Sequence, residues 1–194
     1  HFLGYDRHAL RDSYRRHGYL RADVESVAII YRGKSSAEVR FHVVEGPHAR
    51  VDAIDFEGLS ATDEEKIRSA IPLEAGGFFD FPAVEASHAA IDSFYAERGN
   101  VIADTRDSVE VSGDNVRVRF RIDPGPLALL RTTIVEGTRT TKPGFVSREV
   151  VLRPGEVLAR SRLLESQQRI YDSGLYNDVQ FSTSEIDPAT RETD

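Results

Sequence analysis

The side chains in this 194-residue chain that could carry acid–base or metal chemistry are 32 carboxylates and six histidines, His1, His8, His17, His42, His48 and His88. None of the histidines forms a His-x₃-His pair or stands with carboxylates at ligand spacing. His88 shares a helical face with Val84, Ile91 and Tyr95, which predicts a packed, hydrogen-bonded core histidine. Asp63-Glu64-Glu65 falls at a helix start, where the helix dipole favours negative charge. Gly76-Gly77 lacks the following lysine of a phosphate loop, and no Gly-x-Ser-x-Gly or dinucleotide glycine pattern occurs. Cysteine is absent, which excludes disulfides and thiolate metal ligands. These residues therefore define no catalytic, cofactor or metal site. The remaining pattern is Arg117, Arg119 and Arg121 alternating with Val116, Val118, Phe120 and Ile122, a strand with one apolar and one basic face. On the preceding strand, Ser108 and Glu110 are placed to pair with those arginines. One chemistry is a solvated face with cross-strand ion pairs. The other is an exposed strand edge that accepts an incoming extended chain through its backbone. The candidate partner-binding residues are Val101, Ile102, Asp104, Arg106, Ser108, Glu110, Arg117, Arg119 and Arg121.

The elements that position this face follow in order. Asp6 is read as the N-cap of a helix from Arg7 to about His17, with Leu10 and Tyr14 on one face and Arg7, Arg11 and Arg15 on another, stopped by Gly18. Val27, Ile29 and Tyr31 then alternate, Gly33-Lys34-Ser35-Ser36 turns, and Val39, Phe41 and Val43 alternate back. The next run, Val51 to Gly58, is strand-like. Thr62 and Glu65 have capping-box spacing, and Pro72 ends that helix. A second helix has Pro82 in its first turn and Gly99 past its end. Val101 to Val111 reads as a strand, joined at Ser112-Gly113-Asp114-Asn115 to the arginine strand. Leu130 to Gly137 again reads as a strand. Helices follow from about Pro143 to Val151 and from about Ser161 to Ser173, the latter with Leu163, Leu164, Ile170 and Tyr171 apolar. A strand through Val179, Phe181 and Thr183 comes last, and beyond Asp187-Pro188 the composition turns polar with no second hairpin strand.

This order repeats. Glu57-Gly58 and Glu136-Gly137 lie 79 apart, as do Gly46-Pro47 and Gly125-Pro126. Gly18, Gly99 and Gly174 are separated by 81 and 75 residues. A period near 80 with matched turns indicates a tandem array. The fold class is α+β: tandem β-α-α-β-β units, each a three-stranded mixed sheet with two helices on one face, forming an elongated array. The expected domains are 1–49, a partial unit without its first strand and helix; 50–127, a complete unit; and 128–194, a unit cut before its last strand. With no methionine even at position 1, the chain reads as a fragment or processed piece. Its formal charge of −7 is uneven: +3 over residues 1–50, −9 over 51–126 and −1 over 127–194. That balance disfavours nucleic acid. A KH-like RNA-binding layout would need a Gly-x-x-Gly loop and a basic face, and a catalytic domain would need a polar pocket that nothing here outlines. No apolar run approaches the roughly 20 residues of a membrane helix.

Strand–helix–helix–strand–strand units of this length, joined at Glu-Gly-Pro or Pro-Gly-Pro turns, resemble POTRA domains. So do the opening Ile54 to Gly58 and the helix end Arg169 to Phe181, and Phe145 to Leu158 is similar to barrel-proximal units. In tandem they resemble the periplasmic arm of the BamA/TamA outer-membrane assembly family. That resemblance implies a non-enzymatic protein on the periplasmic side of a Gram-negative outer membrane. Its partners would be unfolded outer-membrane proteins, accessory lipoproteins or assembly subunits, and a C-terminal membrane β-barrel in the parent chain. It also implies strand addition at the first hairpin strand, here Val101 to Val111 and Val24 to Tyr31. POTRA units of a two-partner secretion transporter or a cell-division scaffold are the nearest alternative.

Overall fold

The computed structural model describes residues 2–32, 36–137, 143–174, 176, 178–182 and 192–193. Twelve elements follow in chain order: α1 (Phe2–Arg16), β1 (Asp23–Tyr31), β2 (Ala37–Val44), β3 (Arg50–Glu57), α2 (Ala61–Ala70), α3 (Phe81–Glu97), β4 (Asp104–Ser112), β5 (Asn115–Asp123), β6 (Leu129–Leu130), α4 (Pro143–Glu149), α5 (Arg160–Asp172) and β7 (Glu192–Thr193). β1 and β2 form an antiparallel pair in which Val27 faces Phe41 and Ile29 faces Val39. The middle sheet has the order β3-β5-β4, with β3 parallel to β5, so it is mixed and β4 lies at its edge. β6 pairs in parallel with β7. By contact density the chain divides into two compact units. One comprises His1–Glu57, Arg68–Ala89 and Arg106–Arg121; the other Gly58–Ile67, Ala90–Thr105 and Ile122–Asp194. The division runs through α2, α3, β4 and β5, and the prolines at 47 and 126 fall inside units.

The 79-residue period reappears atom by atom in the backbone. Within the first unit, Val51 N–H donates to Gly77 O (3.0 Å) and Gly76 N–H to Val51 O (2.7 Å). Within the second, Leu130 N–H donates to Glu156 O (2.9 Å) and Gly155 N–H to Leu130 O (2.7 Å). Buried side chains follow the same spacing: Ile67 and Val146, Ile71 and Val150, Leu73 and Leu152, Ile91 and Ile170 are each 79 apart. Even a buried helix serine recurs. Ser87 and Ser166 both turn their hydroxyls back to the carbonyl four residues earlier, at 2.7 Å.

The joints are built the same way. Gly18 ends its helix at φ +87° and Gly99 at φ +85°. Tyr19 N–H reaches Tyr14 O and Asn100 N–H reaches Tyr95 O, both the six-to-one bond of a glycine-terminated helix. The glycine carbonyls then accept from the next repeat, Ala49 N–H to Gly18 O (3.0 Å) and Ala128 N–H to Gly99 O (2.8 Å). Ala49 O and Ala128 O in turn accept from Phe79 and Leu158 N–H. Around Gly18 the packing is aromatic: His48 stacks on Tyr19 at 4.5 Å and on Phe78 at 4.4 Å. A second link at each joint is electrostatic. Arg16 meets Glu85 at 2.5 Å. Glu97 accepts from Ser161 N–H (2.9 Å) and Ser161 hydroxyl (2.5 Å), standing in for the side-chain cap that Ala159 cannot supply to α5.

Several local expectations change. α1 begins at Phe2, so Asp6 lies inside it; nothing in Phe2-Leu-Gly-Tyr forces a later start, and a cap residue is an option that adjacent helical residues can override. α2 is capped by Ser60, whose hydroxyl accepts from Asp63 N–H at 3.2 Å and donates to Asp63 Oδ2 at 3.0 Å, so Thr62 is helical. Ser60 was not expected as a cap; it stands three residues before Asp63, the spacing at which a side-chain oxygen reaches an orphan helix N–H. Leu164 is 53% exposed because the buried face of α5 runs through Ser166 and Ile170. Of the strand read from Leu130 to Gly137, only Leu129–Leu130 is strand, because its partner β7 spans only two residues. β7 itself lies where no further strand was expected. Residues 178–182 are not strand. Gly33-Lys34-Ser35, Thr183 and Asp187-Pro188 lie outside the described residues.

A Cβ on Gly18 would stand 2.0 Å from Phe79 O, whereas one on Gly76 (φ +82°) would meet nothing within 4 Å. Gly76→Ala is expected to cost about 1 kcal/mol for the backbone conformation alone. Gly18→Ala adds a backbone collision and should cost more than about 3 kcal/mol, read by chemical denaturation. At the other joint, the Ser161 hydroxyl and N–H hold the Glu97 carboxyl below the usual glutamate range. A carboxyl lowered in the folded state stabilises above its unfolded pKa, and that contribution is lost as pH falls through the folded value. Glu97→Gln should therefore flatten the fall in stability between about pH 5 and about pH 3 by removing that contribution at neutral pH, leaving stability at the acid end nearly unchanged.

Candidate functional site

β5 reads as predicted: Val116, Val118 and Phe120 are wholly buried and Ile122 is 2% exposed, while Arg117, Arg119 and Arg121 lie on the opposite side. The parallel register sets Asp55 beside Arg119 and Glu57 beside Arg121. Arg121 Nε donates to Glu57 at 3.0 Å, and Arg119 lies 3.4 Å from both Glu57 and Glu110. Arg117 lies 3.8 Å from Asp52 and 3.9 Å from Asp55. Three cations are thus matched by carboxylates on both neighbouring strands. Glu110 was anticipated. Asp52, Asp55 and Glu57 were missed, although they sit on β3 in the strand pattern already recognised; the missing information was that β5 is central. The matched charges make this face a poor anion site.

β4 offers a different chemistry. Of its nine residues only Thr105 is buried and Val109 half-buried, so the edge is open along most of its length. The other edge of the sheet, β3, is bridged at its start, where Arg50 bridges Phe78 and Val51 pairs with residues 76 and 77. β4 is tied down from the helix side by His88, whose Nδ1 lies 2.8 Å from Asp107 Oδ1. His88 is therefore not a core histidine. Its side chain is 32% exposed, and Ser87 takes the buried place three residues after Val84. A half-exposed imidazole against a carboxylate satisfies both polar groups without burying either.

The structure brings together Ser108, Glu110 and the three arginines on the sheet, with Asp104 and Arg106 at the start of β4. It separates Val101 and Ile102 from them. Those two form a turn closed by Ala103 N–H to Asn100 O, because the chain must reverse directly after the Gly99 cap. Val101 packs against the buried cluster of Ala128, Leu130 and Leu158, and Ile102 lies against Gly125. They are joint residues. Among the described residues no three His, Asp or Glu side chains are grouped to hold a metal ion.

Residues 49–125 match the family model described as POTRA, surface antigen variable number repeat. A putative outer membrane protein assembly factor of Treponema pallidum is 26% identical over 177 residues, covering 86% of this chain and 21% of that protein. The outer membrane protein assembly factor BamA of Nitratidesulfovibrio vulgaris is 22% identical over 182 residues, 91% of this chain and 22% of the relative. The chain thus spans about a fifth of the length of these relatives. Among solved structures, POTRA domains 3–5 of Haemophilus influenzae BamA superpose with a TM-score of 0.68 at 20% identity, covering 99% of this chain and 77% of that one.

The ladder on β5 sets a measurable expectation. Exposed pairs contribute little, so a double-mutant cycle on Glu57 and Arg121 should give a coupling of about 0.5 kcal/mol. In roughly 1 M salt it should fall to near zero. A coupling that survives high salt would show a desolvated pair.

Proposed function

We propose that this chain, whose residues 49–125 match the POTRA model and which resembles BamA-type outer-membrane protein assembly factors, is part of a periplasmic arm that holds unfolded outer-membrane proteins on their way to a membrane β-barrel. Three repeats, 1–49, 50–127 and 128–194, make up this stretch, with accessory lipoproteins or assembly subunits as further partners. The observation that carries the reading is the edge position of β4, whose side chains are exposed along most of its length. An extended client segment has unsatisfied N–H and C=O groups at each residue, and an open edge supplies partners for them regardless of side-chain identity. That suits a protein with many clients. The neutralised arginine face beside the edge adds no strong field, so recognition rests on backbone geometry more than on charge.

Successive residues of β4 turn their N–H groups alternately to β5 and to the open edge. Proline at Ser108 and at Val109 therefore separates two effects. One substitution should weaken the sheet; the other should leave the sheet folded and remove an edge donor. An NMR titration with a synthetic peptide copying a transmembrane β-strand should move β4 amides in the parent chain. In the folded proline variant the affinity should fall at least about tenfold, or 1.4 kcal/mol. Unchanged titration in both variants would remove the β4 edge as the client site.

A further inference from the structure

The middle sheet has two edges, and they are dressed differently. β4 is exposed along most of its length. β3 is strapped at its start by residues 76–78: Val51 N–H donates to Gly77 O, Gly76 N–H donates to Val51 O, and Arg50 bridges Phe78. Val51 therefore turns its backbone away from β5. In a regular strand the next outward residues would be Ala53 and Asp55, but the register slips between Val51 and Ala53. That bulge moves the outward set to Ile54 and Phe56. At the first of these stands Arg68, from the last turn of α2, whose Nη2 donates to Ile54 O at 3.0 Å. Its guanidinium carbon also lies 4.8 Å from the centre of the Phe56 ring. The arginine is not part of the repeated core. Seventy-nine residues on, Ile67 recurs as Val146, but the place of Arg68 is taken by Ser147.

We propose that Arg68 is a specificity-determining residue: it denies β3 to an extended chain and so leaves β4 as the receptive edge of the sheet. An added strand needs a donor and an acceptor at every second residue of the edge it joins. After the strap at Val51, the Ile54 carbonyl is the first acceptor such a strand would meet, and a charged donor already holds it. Bonds from a charged donor are stronger than those between neutral amides, so an incoming N–H competes poorly for that oxygen. A paired chain would run about 4.8 Å from β3, through the space in which the guanidinium stands. A side chain that merely tied α2 to the sheet would leave the affinity of β3 for other chains unchanged. The inference rests on the strand-addition reading given above, and it is read out at β3 amides instead of β4.

The test is amide hydrogen exchange on the 194-residue chain, with and without a synthetic peptide copying a transmembrane β-strand. Arg68 is exposed, and methionine keeps an unbranched stem and a high helix propensity. Arg68→Met should therefore remove the donors and leave α2 folded. In that variant the peptide should slow exchange at the Ile54 and Phe56 amides at least about tenfold. In the parent chain and in Arg68→Lys, which keeps a charged donor, those two amides should not respond. No slowing there in Arg68→Met would overturn the proposal, whatever happens at β4. Equal slowing in Arg68→Met and Arg68→Lys, or slowing in the parent chain, would overturn it as well. Failure of the client reading has a different signature, unmoved β4 amides in the parent chain. Slowing at Ile54 and Phe56 that grows with the concentration of Arg68→Met, without peptide, would show the unguarded edge pairing with a second copy and would support the proposal.

Discussion

A glycine that closes one helix also starts the next repeat. At Gly18 and Gly99 the left-handed backbone ends the helix and turns a carbonyl toward an alanine N–H of the following segment. A side chain at either position would be strained by φ and would meet neighbouring atoms inside 3 Å. The joint is therefore a set of backbone bonds closed over a hydrogen-sized gap, and side-chain chemistry around it can vary. His48 lies between Tyr19 and Phe78 at one joint. At the other, the places 79 residues on are Leu127 and Val157. An aromatic stack and an aliphatic contact serve the same backbone geometry.

Charge has a secondary part. The middle stretch carries the chain's acidic excess, but its carboxylates are largely local partners. Asp63 shares the Ser60 cap, Glu97 caps α5, and Asp52, Asp55, Glu57 and Glu110 surround three arginines. Exposed pairs of this kind contribute little to stability. Their consequence is a sheet face with no strong field beside an edge whose backbone is free to pair. Such a surface suits backbone pairing with extended chain more than recognition of a particular charge pattern.

The repeat length, the positions of the second helices and the apolar face of β5 were legible from residue spacing and turn residues alone; the edge position of the hairpin's first strand came only from the family resemblance. The misplacements share a cause. Asp6, Thr62 and His88 were each assigned from a local helical pattern; α1 starting at Phe2 displaces the first, and a hydrogen bond displaces each of the others, Asp63 N–H to Ser60 for the cap and His88 to Asp107 for the histidine. Val101 and Ile102 are β-formers by type, yet the turn after Gly99 takes both, because packing at the joint outweighs local propensity.

What the sequence alone determined is therefore periodic: alternation, helical faces and glycine punctuation are local, and they recur with a period near 80 residues. The tertiary structure decided what depends on partners distant in the chain. It placed β5 between β3 and β4, which is why Arg119 meets Glu57 on one side and Glu110 on the other. It bridged the start of the β3 edge at Arg50 and Val51 and left β4 at the other edge of the sheet. A strand carries the same side-chain pattern at an edge or at the centre of a sheet, since alternation records which face is buried and says nothing of which backbone neighbours are present.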